Sequence, residues 1–292
     1  MMSQRLAIIL VFIGAGCYGL HATISKIGYA HGLDTGQITG IQFIVGAISL
    51  WGLAAWKGRK WQRPSRKAAL KLMTAGTLAG LTSLLYIASI QTLPASIATV
   101  LLFQFVWIGV FYEWLFQRIK PDGQILLAIA LTIVGALCAA DVFHDQFKEL
   151  SIMGILLGLG SAFSCAGTLY VSGKVETGVS PWLRSPLMLT GALILVMVIY
   201  PPSFIVTGVP WNSFWLLGIV LGLVGTAVPT LCLAFGAPRI SATLTSMLSS
   251  LQLPIAIVMA WSVLSEPISA LQWVGVGWIL AGITVKGARF PR

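Results

Sequence analysis

Ten long hydrophobic runs alternate with short polar segments along the chain: roughly 5–30, 36–57, 67–91, 95–117, 122–140, 151–174, 181–201, 212–235, 242–263 and 269–287. Each holds about 20 mostly apolar residues, the number an α-helix needs to cross the roughly 30 Å hydrocarbon core of a bilayer. The runs are apolar on all sides, with Gly, Pro, Ser and Thr scattered through them. That pattern predicts helices packed against other helices in lipid. A transmembrane β-barrel would show ten-residue segments of alternating polarity, and none is present. The connections are too short to hold a soluble domain. Met1 to Arg5 followed by an apolar stretch resembles a signal peptide, and Gly14-Ala15-Gly16-Cys17 resembles a lipoprotein cleavage site. Gly14 stands where such a site wants Leu, so the first run is read as an uncleaved span.

Composition agrees. Of the 292 residues 57% are hydrophobic and 9% are charged, against about 25% charged in a soluble domain. The net charge of +10 raises nucleic acid as a partner, but the basic residues sit in short loops between apolar runs rather than along one face. With a cytoplasmic N-terminus, every Lys and Arg except Lys26 and Lys148 falls on the cytoplasmic side, Lys57, Arg59, Lys60, Arg63, Arg118, Lys174, Arg184, Arg239, Arg289 and Arg292 among them. Asp34, Asp141, Asp145, Glu149 and Glu266 fall outside. This bias orients the chain, requires an even number of spans and puts both termini in the cytoplasm. Cys17, Cys138, Cys165 and Cys232 all lie in apolar runs without metal-ligand spacing, which reads as packing rather than zinc or disulfide chemistry.

The chain also repeats. Offset by 148 residues, Cys17-Tyr18-Gly19 falls on Cys165-Ala166-Gly167, Lys26 on Lys174 and Gln124 on Gln272. With a small gap Gly46 pairs with Gly191 and Gly80 with Gly225. The predicted fold is an all-α membrane protein: ten transmembrane helices as two inverted five-helix repeats around a central cavity, 1–145 and 146–292. Five spans per half force opposite insertion. Inverted repeats are common in secondary transporters, where one repeat rocks against the other.

Two five-span halves with cytoplasmic termini resemble the drug/metabolite transporter superfamily, EamA type. The local marker is Pro254-Ile255-Ala256, then Leu264-Ser265-Glu266-Pro267-Ile268-Ser269, Gln272 and Gly275. It is similar to the family's P-x-x-A…G-E-x-L-T…G pattern. The first half departs from it. Arg118 stands in the place of Glu266, no Pro occurs around Val106 to Ile108, and Gln42 replaces an Arg common in the second span. Tyr86 in Leu84-Leu85-Tyr86 and Trp107 in Phe105-Val106-Trp107 are similar to the aromatic amino-acid exporter branch. The resemblance implies a basket of ten helices around a cavity and export of amino acids.

His21 is the deepest ionisable residue of the first span, a functional candidate by its position in lipid. It either relays a proton or binds a carboxylate, or it is a neutral His bonded to a neighbouring helix. Lys26 reads as snorkelling to the interface. Tyr18, Tyr86, Phe103, Trp107, Phe163 and Tyr170 fall near span middles and suit the walls of an apolar site. Gln42, Gln104, Thr168, Ser246, Ser249 and Gln252 are candidates for its polar part. The expected substrate site is Tyr18, His21, Tyr86, Gln104, Trp107, Phe163, Ser246 and Gln252. Glu113 reads as an interfacial ion pair near Gln117 and Arg118, and Glu266 as a structural tie. Trp51, Trp56, Trp114 and Trp182 suit an interfacial belt. Gly76-x-x-x-Gly80, Gly154-x-x-x-Gly158 and Gly218-x-x-x-Gly222 predict close helix contacts. Pro186, Pro229 and Pro254 are candidate hinges or kinks.

No phosphate-binding glycine loop, zinc-protease motif or nucleophile elbow is present. The expectation is a transporter rather than an enzyme, with no cofactor, no metal and no nucleic-acid partner. It would act on a small organic solute in the cell (inner) membrane, among membrane lipid, as a monomer or homodimer. The spans hold no series of carboxylates, so transport is expected to be uncoupled or linked to protons through His21 alone. Amino-acid export leads. A drug or other metabolite exporter, a non-transporting membrane scaffold and an intramembrane enzyme are the alternatives.

Overall fold

A computed structural model describes residues 3–57, 64–93, 95–139, 151–202, 211–265 and 269–287. Among these, all regular structure is helical. A backbone crossing lipid must satisfy its own N–H and C=O groups, and the helix does so within one segment. The elements are α1 (Gln4–Ala30), α2 (Thr35–Lys57), α3 (Arg66–Thr92), α4 (Ala95–Phe103), α5 (Phe105–Gln117), α6 (Gly123–Ala139), α7 (Ile152–Lys174), α8 (Pro181–Ile199), α9 (Trp211–Gly222), α10 (Val228–Gly236), α11 (Ala242–Ser249), α12 (Gln252–Leu264) and α13 (Ala270–Gly287). A π-helical segment, Leu223–Ala227, joins α9 to α10.

The ten expected runs therefore stand, three of them interrupted. The fourth breaks at Gln104 between α4 and α5, the eighth carries the π segment, and the ninth breaks at Ser250 and Leu251. Eight spans are long and apolar enough to cross a membrane, and the fifth and tenth contain the shorter apolar helices Gly123–Cys138 and Ala270–Gly282. Polar residues set where helices begin. Ser3, Ser65, Ser151 and Ser241 accept from backbone N–H groups of the first turn. Asp34 with Gln37, and Ser269 with Gln272, form reciprocal capping boxes. Arg118 and Ser265 take up left-handed conformations after the fourth and ninth spans. Many apolar side chains face outward, Ile48, Ile152 and Val198 among them. Such a surface needs lipid.

The helices interleave across the two halves. The most extensive contacts pair α6 with α13, α3 with α8 and α7, α1 with α10 and α12, and α2 with α8 and α9. Each of the three Gly-x-x-x-Gly pairs faces the opposite half. Gly76 and Gly80 meet the backbone of Met188 and Ala192, Gly154 and Gly158 meet the ends of α3 and α4, and Gly218 and Gly222 meet Ile41 and Val45. The largest core cluster joins α5 (Phe105, Val106, Ile108) to α7 (Ala162, Ala166, Leu169) and α12 (Leu253, Ile257).

Two charged residues correct the sequence reading. Arg184, counted with the cytoplasmic charges at the start of the seventh run, lies within α8 and is 1% exposed. Glu113 makes no ion pair among the described residues. It is buried, and it accepts hydrogen bonds from the backbone N–H groups of Ala242 and Thr243 and from the Thr243 hydroxyl. It thus caps α11 from the other half of the chain. At one rim, Lys57 sits 5.1 Å from the Trp56 ring and 5.8 Å from the Trp182 ring, linking α2 to α8. Lys71 and Glu176 pair at 3.2 Å in the open. Exposed pairs contribute little, so Glu176→Gln is expected to change unfolding stability by less than about 1 kcal/mol, measured as a thermal midpoint in detergent. Arg59, Lys60, Arg63, Lys148, Arg289, Arg292, Asp141, Asp145, Glu149 and the Glu266-Pro267-Ile268 marker lie outside the described residues.

Candidate functional site

A cavity lies where α1, α3, α7, α8 and α10 converge, so both halves build it. Its lining is Tyr18, Gly76 and Ala79 from the first half, with Thr168, Ser172, Met188, Leu189, Thr230 and Leu233 from the second. The Tyr18 hydroxyl has Thr230 as a hydrogen-bond partner. The glycine at position 76 keeps this region tight, because α3 and α8 touch there backbone to backbone. The space amounts to about 20 Å³, room for roughly one water. Small-molecule pockets begin near 300 Å³, so this space is too small for an organic solute.

Of the eight residues expected in the substrate site, Tyr18 lines this cavity. The others fall into separate groups. His21 Nε2 lies 2.7 Å from Gln42 Oε1, and its ring packs against Gly225 of the π segment. The Thr39 and Thr226 hydroxyls in the same region are buried without a partner. Tyr86 pairs with the Thr99 hydroxyl at 2.9 Å. Tyr86→Phe is expected to lower stability by about 1 kcal/mol, the worth of one hydrogen bond; an unchanged melting midpoint would remove that bond from the account.

Gln104 serves the break in the fourth span. Its amide donates to the Val100 carbonyl at 3.1 Å, and its oxygen accepts from the Trp107 indole at 2.8 Å. Trp107 stands edge-on to Phe163, their ring centroids 6.4 Å apart. Tyr112, Phe116 and Tyr170 continue this aromatic seam between α5 and α7. Ser246 packs directly on Gly109 where α11 crosses α5. The Gln252 carbonyl lies against Gly19, next to Tyr18. Gln104 forms the fourth-span break and Gln252, at the 148-residue offset, begins the helix just after the ninth-span break. Pro229 follows the π segment and Pro254 follows the ninth-span break, while Pro186 sits inside an uninterrupted α8.

Sequence reasoning missed Thr230 and Arg184 as neighbours of the cavity. A signal existed for the second: Arg184 falls inside the predicted seventh span, where a cation is costly. Ser172 lay unremarked near the end of the sixth. Among the described residues no group of three or more His, Cys, Asp or Glu is placed to hold a metal.

The EamA-like transporter family matches this chain twice, over residues 5–140 and 152–286. The chain belongs to that family. The family model thus matches two successive stretches of similar length. A relative from Archaeoglobus fulgidus, described as an uncharacterized transporter, is 25% identical over 269 residues, 91% of this chain and 92% of its own length. A solved crystal structure superposes with a TM-score of 0.80 at 14% identity, covering 98% of each chain. At that identity it speaks for the fold alone. The protein is thus a multi-pass EamA-family transporter built as two repeated halves.

Proposed function

We propose that this transporter exports amino acids, apolar and aromatic ones foremost, by alternating access across the cell (inner) membrane, with both termini cytoplasmic. The observation that carries the reading is the cavity at the meeting of the two halves. Its wall combines apolar side chains (Met188, Leu189, Leu233) and an aromatic ring (Tyr18) with three hydroxyls, those of Thr168, Ser172 and Thr230. That is the chemistry expected for a small solute with an apolar side chain and a polar end.

The same arrangement suggests how the site opens. The halves interleave, so they do not separate as two blocks. Movement is instead assigned to the interrupted spans, where regular α-helical bonding gives way to tighter or wider turns: Gln104, whose N–H donates to the Leu101 carbonyl, the π segment before Pro229, and Ser250–Leu251 before Pro254. Local breaks of this kind are where helices bend most readily. Trp107 and Phe163 flank the first of them, and Tyr86 stands on the adjoining α3, so these aromatics join the site as it widens.

Counterflow into liposomes holding the purified protein tests this, with labelled phenylalanine, tryptophan and leucine. Saturable uptake is expected, reduced at least about tenfold in Tyr18→Ala, a loss of roughly 1.4 kcal/mol of substrate interaction, and less in Trp107→Ala and Tyr86→Ala. Flux of other metabolites or drugs without amino-acid flux would replace the substrate class. Folded protein that moves no solute would overturn the transport reading.

A further inference from the structure

Arg184 is a buried cation that the transport reading does not yet use. It occupies the first turn of α8, one turn before Met188 on the same helix face, and Met188 lines the cavity. Its guanidinium donates to the carbonyl of Ala234 at 3.2 Å and to the carbonyl of Ser172, itself a lining residue. Arg184 is therefore attached to the cavity wall from two sides. Among the described residues no carboxylate pairs with it. Its Nε is buried and has no hydrogen-bond partner.

The two carbonyls explain how the charge is tolerated. Ser172 lies in the last turn of α7 and Ala234 in the last turn of α10. Each helix end carries roughly half a negative charge. Two such ends hold the guanidinium in place and orient it, but they engage one N–H from each terminal nitrogen of a group with five. The unused donors are buried, and they lie behind the cavity wall, one helix turn from Met188 and bonded to Ser172 of its lining. A planar fork held in this way suits a carboxylate, which accepts two parallel N–H bonds. The positive N-terminal end of α8 acts in the same sense.

We propose that Arg184 is the carboxylate receptor of the transporter, so that its substrates are organic acids or amino acids and not amines. This rests on the transport reading for its biological meaning, but the binding site can be tested apart from flux. The probes are 3-phenylpropionate, an aromatic carboxylate without an amine, and phenethylamine, an aromatic amine without a carboxylate. Thermal unfolding of the detergent-solubilised full chain is followed as each is titrated.

The expected result is a saturable rise of the wild-type midpoint with 3-phenylpropionate and none with phenethylamine. In Arg184→Gln the response to the carboxylate should vanish. In Arg184→Lys its half-saturation should move up about tenfold, because an ammonium keeps the charge and loses the fork. Each shift is read against the variant's own unliganded midpoint, which allows for the loss of the α7 and α10 contacts. Where Arg184→Gln does not fold, Arg184→Lys decides, and an unchanged half-saturation in it would overturn the proposal. An equal or larger response to the amine, no response to the carboxylate, or an undiminished response in Arg184→Gln would overturn the proposal. Carboxylate binding without counterflow of any amino acid would leave the site standing and remove the export reading.

Discussion

Gly76→Ala is expected to destabilise the protein by about 3 kcal/mol, the upper end of what overpacking a tight interface costs. A Cβ at position 76 would stand 1.8 Å from the Met188 carbonyl oxygen, and one at Gly191 would stand 1.8 Å from that of Met73. Both obstacles are backbone, so neither can rotate away. α3 and α8 would have to move apart by more than an ångström, losing the close approach that holds helices together in lipid. Gly191→Ala should match Gly76→Ala. Gly80→Ala should cost less, because its new Cβ would lie 2.9 Å from the Ala192 carbonyl oxygen. At Gly167 the nearest atom is the tip of Leu78, at 3.3 Å. A flexible methyl can yield, and alanine favours the helix by up to about 1 kcal/mol. Gly167→Ala should therefore be neutral or stabilising. Unfolding midpoints of the four variants in detergent would show this order; a flat series would place the α3–α8 crossing wrongly.

Glu113→Ala is expected to cost about 3 kcal/mol as well. The carboxylate is buried against the start of α11, accepting from two backbone N–H groups and one hydroxyl. Truncation strands those donors in a site that water does not reach and leaves a hole beside them. Anions at a helix N-terminus are also favoured by the helix dipole. Glu113→Gln keeps the length and one acceptor oxygen, so it should retain part of the stability. Thr243→Val, which removes the hydroxyl alone, should cost about 1 kcal/mol. Equal midpoints for wild type and Glu113→Ala would contradict the cap. Because the contact joins span four to span nine, the loss should appear as global unfolding and not as fraying of one helix.

Most of the fold was legible because lipid imposes one simple rule. A spanning segment must be long and apolar, and polar residues mark its ends. The helix boundaries accordingly fall within a few residues of the expected runs, from Gln4–Ala30 to Ala270–Gly287. The breaks were harder to see. Gln104 lies in an unbroken apolar run with no proline, and only its match to Gln252 at the repeat offset hints at a shared role. Partner choice was not legible. A Gly-x-x-x-Gly pair names a helix face but not what it meets, and all three met the opposite half.

The candidate site was legible in type more than in position. Tyr18 and Thr168 sit at the cavity, while His21 and Gln104 are hydrogen-bonded elsewhere and Ser246 packs on Gly109 with its hydroxyl unpartnered. Loop charge statistics could place Arg184 at an end of a span but not its depth, and burial is what gives that residue its chemistry. Glu113 was misread for a related reason: sequence neighbours Gln117 and Arg118 suggested an ion pair, whereas its partners, Ala242 and Thr243, are remote in sequence.

The most direct test of the central claim is sided accessibility of the cavity. Thr168→Cys is placed in a chain whose four native cysteines are replaced, reconstituted in one orientation, and exposed to a membrane-impermeant thiol reagent from either face. The prediction is labelling from each side, with substrate saturating one face slowing labelling from the other, because a site that opens alternately cannot face both at once. Position 168 staying inert from both sides in protein shown to transport, or reacting from both sides regardless of substrate, would contradict a central cavity with alternating access.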